Sequence, residues 1–130
     1  MPRVSMWLVR AALVYLLLGF TLGAVMLAGK ALGHSAWIAG WIPIHVELVL
    51  VGWMLQLAMG VALWILPRFG AFGPARQAAW AWAAGGLLNA GVALVVTGAP
   101  FPGRVLELGA ALAFGLSVWT RVRASGISAM

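Results

Sequence analysis

Few side chains in this sequence can do chemistry, and they are gathered. The 130 residues include two histidines, His34 and His45, two acids, Glu47 and Glu107, and no cysteine. His45 and Glu47 stand in the run IHVELVLVGWMLQLAMGVALWILP (44–67), which also carries Gln56. An ionisable group in so apolar a run is costly unless it faces a partner, a cofactor or water, so it marks a functional site. Imidazole offers a ligand to iron, zinc or copper, and a carboxylate offers a hard ligand or a proton acceptor. Without cysteine there are no thiolate metal sites, no iron–sulfur clusters and no C-x-x-C-H attachment, so any haem is held non-covalently.

The elements that must position these groups follow from composition. With 65% hydrophobic and 8% charged residues, the chain lies outside the soluble globular range. The net charge of +6 comes from basic residues scattered at the ends of apolar runs, which is a matter of topology; no nucleic-acid partner is expected. The apolar runs predict helices over about 7–29, 44–66, 77–97 and 105–120. The fold class is therefore all-α, a single integral-membrane four-helix bundle over 1–130. The first run is too long for a signal peptide, and Arg10 within it can snorkel to the headgroups.

The stretch KALGHSAWIAGWIP (30–43) reads as a connection, with Trp37 and Trp41 in an interfacial belt and Pro43 opening the second helix. His45 and Glu47 then fall in that helix's first turn, and Pro67 ends it. The segments 67–76 and 98–104, rich in glycine and proline, read as turns. Gly19 and Gly23 form a G-x-x-x-G pair, and Ala79, Ala83, Gly86 and Ala90 predict a close-packing seam on the third helix. Asn89, mid-membrane, is expected to bond to a neighbouring helix.

The basic residues also set an orientation. With a cytoplasmic N-terminus, Arg3, Arg10, Arg68, Arg76, Arg121 and Arg123 lie inside, and only Lys30 and Arg104 lie outside. This places both termini in the cytoplasm, in a bacterial or archaeal cytoplasmic membrane, and collects His34, His45, Glu47 and Glu107 at the outer side. Glu107 can also pair with Arg104 at the start of its own helix.

On a regular helix His45 shares a face with Val49, Gly52, Gln56, Met59 and Gly60. A flat macrocycle beside a helix needs small residues below the ligating imidazole, which Gly52 and Gly60 supply. The same residues equally suit a histidine capping its helix and glycines that pack helices, and the pattern alone leaves both open. Two other readings stand beside haem: a zinc or copper site of His34, His45, Glu47 and Glu107, and a cofactor-free assembly subunit.

The run 44–67 resembles the second transmembrane helix of the large subunit of nitric oxide reductases and the wider haem–copper oxidase superfamily. The resemblance rests on His45-Val46, Leu48, Trp53, Met59-Gly60, Ala62 and Pro67, and covers about one helix of four. It implies that His45 is an axial ligand to a haem b near the outer side, with Glu47, Gly52, Gln56 and Met59 around the cofactor. Glu47 stands where that family commonly has a polar amide. The later histidines of those enzymes have no counterpart here, which excludes terminal oxidase chemistry within one chain. A second axial ligand would come from His34 or from a second copy; otherwise the iron keeps an open position. The expected role is electron transfer or haem or gas chemistry with oxygen or nitric oxide, including turnover of haem; an enzymatic activity would make the chain a haem-dependent oxidoreductase. A homo-oligomer is expected, because one small bundle encloses a haem poorly. The surroundings implied are membrane lipid and an electron donor or respiratory complex.

Overall fold

A computed structural model describes residues 2–33, 35–66 and 74–121. His34, residues 67–73 with Pro67 and Arg68, part of the expected turn, and residues 122–130 with Arg123 lie outside the described residues. Helix α1 is Arg3–Ala31, α2 is Ser35–Val46, a π-helical stretch follows at Glu47–Leu55, and α3 is Gln56–Ile65. Helix α4 is Pro74–Val96 and α5 is Pro100–Val118, closed by a 3-10 turn at Trp119–Arg121. Helix α2, the π stretch and α3 run on as one second span. Four helices are thus long and apolar enough to cross a membrane, and among the described residues there is no strand. This is the expected all-α four-helix membrane bundle.

The second span starts earlier than its sequence signals suggest. Most of 30–43 is helical, and Pro43 lies inside α2 rather than opening it. In a lipid environment an apolar segment must bond its own backbone, so AWIAGWIPI gains by continuing as helix even though Pro43 removes one N–H. His45 and Glu47 are therefore well inside the second span. At Glu47 the chain widens into the π stretch, a form frequent at functional sites, which re-aims the side chains that follow it.

Helix α1 lies along the second span, and glycines set how closely. A methyl group on Gly19 would lie 2.7 Å from Val49 Cγ2, one on Gly52 would lie 2.7 Å from the Tyr15 ring, and one on Gly60 would lie 3.0 Å from Val9. Helices α4 and α5 form the other close pair, joined by a tight turn in which Gly98 takes a φ of +96°. They meet at Gly91 and Gly103, where a methyl group on Gly103 would sit 2.8 Å from the Gly91 carbonyl oxygen. Leu8, Met59, Leu63 and Leu88 fill the core between the two pairs, with small Ala81, Ala84 and Ala110.

Two expectations for the third span do not hold. Ala79, Ala83, Gly86 and Ala90 are exposed, and the packed face of α4 carries Ala81, Ala84, Gly85, Leu88, Gly91 and Val92. Small residues occur on both faces of this helix, and the larger Leu88 and Val92 need the buried one. Asn89 donates from Nδ2 to the Gly85 carbonyl of its own helix at 2.8 Å. That bond engages one amide donor within its own helix. Large apolar side chains point outward on every span, among them Leu17, Phe20, Ile65, Leu108 and Leu112. Such faces suit contact with lipid.

Candidate functional site

Glu47 and Glu107, the only acids of the chain, meet at one guanidinium. Arg104 Nη2 lies 2.7 Å from Glu47 Oε2, and Arg104 Nη1 donates to Glu107 Oε2 at 2.7 Å. Glu47 comes from the π stretch of the second span, whereas Arg104 and Glu107 stand three residues apart on α5. The cluster thus ties the two helix pairs together. Glu47 is 1% exposed, while the Arg104 side chain is 55% exposed at the edge of the bundle. Glu47 Oε1 and Glu107 Oε1 are buried and have no hydrogen-bond partner among the described residues.

The close approach of α4 and α5 makes this possible. A methyl group on Gly91 would lie 2.8 Å from Glu107 Cγ, so bare backbone at 91 gives the Glu107 stem its room. Arg104 and Glu107, an i,i+3 pair, were legible as partners in the sequence; the third member, Glu47, was not. The available signal is charge: an acid buried in a span requires a cation, and Arg104 and Lys30 are the only cations assigned to that side.

His45 turns the other way. Two residues along a helix point to nearly opposite faces, so while Glu47 faces α5, His45 faces α1. Its Nδ1–H donates to the Gly19 carbonyl oxygen at 2.9 Å, and its ring edge lies in the notch at Gly23, where a methyl group would be 2.8 Å from Cε1. The G-x-x-x-G pair therefore receives the imidazole and Val49. With Nδ1 as the donor, Nε2 carries the ring's free lone pair. We expect Gly23→Leu to displace the ring and cost about 1–3 kcal/mol of stability. Imidazole nitrogen shifts by NMR would report the loss of the single Nδ1–H tautomer.

The other residues expected around a cofactor are committed to packing. Gly52 is covered by Tyr15, and Met59 is buried with Leu8, Leu63 and Leu88. Gln56 is fully buried, with Nε2 3.4 Å from the Leu8 carbonyl and Oε1 without a partner among the described residues. Nearby, Ser5 donates to the Gly60 carbonyl at 2.6 Å. The face shared by His45, Gly52, Gln56 and Gly60 is thus the face on which α1 lies. Of the four groups His34, His45, Glu47 and Glu107, the two acids meet at Arg104, His45 lies against Gly19 and Gly23, and His34 lies outside the described residues. Among the described residues no three His, Cys, Asp or Glu side chains converge on a point. No family model, curated protein or solved structure matches this chain.

Proposed function

We propose that this chain is a membrane haem b protein in which His45 supplies an axial ligand through Nε2 at the outer side, the termini facing the cytoplasm. The observation that supports this most is the hydrogen bond from His45 Nδ1–H to the Gly19 carbonyl. A bond of that kind orients the imidazole, selects its tautomer and raises the basicity of the ligating nitrogen. Of the residues considered for the cofactor, His45 fits as a donor. Gly52, Gln56, Met59 and Glu47 serve the bundle, so the macrocycle lies outside the four-helix core, against lipid and a second copy of the chain. A symmetric pair encloses it better than one small bundle does and can bring a second ligand. Bound haem supplies one-electron exchange, or gas binding where the iron keeps an open position.

An absorption spectrum of the detergent-purified protein, oxidised and dithionite-reduced, tests the reading. We expect a Soret band in the wild type and its loss in His45→Ala. Sharp reduced α and β bands that also vanish in His34→Ala identify two histidine ligands and electron transfer; a high-spin spectrum that shifts with carbon monoxide identifies an open iron. A protein that stays colourless after added haemin rules the proposal out.

A further inference from the structure

The end of the bundle opposite Glu47, Arg104 and Glu107 holds a cavity that plays no part in the haem reading. All four spans meet there: about 280 Å³ is lined by Pro2 and Val4 at the start of α1, Leu63 near the end of α3, Gln77 and Ala81 in the first turns of α4, and Arg121 just beyond α5. Its walls are apolar apart from two buried polar side chains, Arg121 at 7% exposure and Gln77 at 2%. Arg121 Nε donates to Gln77 Oε1 at 3.2 Å, which ties the last turn to α4 and holds the guanidinium beside the cavity. A guanidinium does not lose its proton in a protein, so a full positive charge sits below the surface here. Both acids of the chain stand at the other end of α5, whereas Arg3 and Arg76 open α1 and α4 at this end. The potential over this end is therefore positive.

We propose that this cavity binds one phosphate group, recognised by Arg121, with Gln77 as the residue that positions the guanidinium. The planar fork of N–H donors on arginine matches a pair of phosphate oxygens. Val4, Leu63 and Ala81 offer apolar walls that suit the hydrocarbon part of a phosphate ester. The level of the cavity, where spans begin and end, is that of lipid headgroups. Ala78, also on the lining, is exposed, which places the cavity at the surface of the bundle. An anionic phospholipid presents both the phosphate and the hydrocarbon; free phosphate presents only the first.

The test titrates the whole chain in a neutral detergent, at fixed pH and ionic strength, with dioleoylphosphatidylglycerol, dioleoylglycerol or sodium phosphate. Native mass spectrometry counts the bound species while thermal unfolding is followed. We expect one tightly held dioleoylphosphatidylglycerol per chain, with a rise in Tm that dioleoylglycerol does not reproduce. Sodium phosphate that matches the lipid assigns the site to a soluble phosphate compound; sodium phosphate without effect assigns it to the lipid. Arg121→Gln should weaken binding by roughly tenfold or more. Arg121→Lys keeps the charge without the fork and should recover only part of the loss. Arg10→Gln removes an exposed, solvent-screened charge and should change binding by less than about threefold. Equal losses in Arg121→Gln and Arg10→Gln reduce the effect to general attraction of anions to a basic surface and overturn the site. The wild-type titration decides even if Arg121→Gln fails to fold: equal behaviour with all three additives also overturns it.

Discussion

Arg104→Ala is expected to destabilise the bundle by about 3–5 kcal/mol, the cost of leaving a buried charge without its partner. Glu47 is the reason for so large an effect. At 1% exposure it cannot rehydrate in place, and its contact with Arg104 at 2.7 Å is the compensation that permits its burial. Glu107 adds to the loss through its own bond to the same guanidinium. Reversible unfolding in mixed micelles measures the cost. Adding Glu47→Leu to Arg104→Ala should recover much of it, since the buried carboxylate that Arg104 compensates is then gone. A loss below about 0.5 kcal/mol, the range of an ordinary surface change, would show that Arg104 does not hold the helix pairs together.

Gly103→Val should cost about 3 kcal/mol, the upper end of the usual range for overpacking. Its added Cβ would sit 2.5 Å from Val95 Cγ2, 2.8 Å from the Gly91 carbonyl oxygen and 3.0 Å from the Val95 nitrogen. Two of those atoms are backbone, so relief requires moving α4 away from α5. Moving it also displaces Glu107 and Arg104, which stand just beyond the crossing point. Gly86→Val is the control, because nothing lies within 4 Å of a Cβ there. Thermal unfolding of both variants should separate them clearly, and comparable Tm values would contradict the close crossing.

Which small residues do the packing is a question that composition could not answer. Ala79, Ala83, Gly86 and Ala90 have the spacing of a seam, yet all are exposed, while Gly85 and Gly91 are buried. In α4, alanines and glycines occur around much of the helix, so the pattern has no contrast to read. Gly19 and Gly23 were a weak pattern for the same reason, and only the structure pairs them with Val49 and His45. Pro43 misled in another way. Its preference for a helix start is a local tendency, overridden where an apolar backbone has to bond itself.

Membrane spans were legible because their cause is local: long apolar runs between polar turns satisfy the backbone only as helices. The sequence by itself determined the all-α class, the four spans, the scarcity of chemical groups and the i,i+3 pairing of Arg104 with Glu107. Tertiary structure alone decided which face each group meets. His45 and Glu47 lie two residues apart, yet one bonds to Gly19 on α1 and the other to Arg104 on α5. A helix sends neighbouring side chains to different faces, and the identity of the helix waiting on each face is set by packing between segments more than twenty residues apart in the chain.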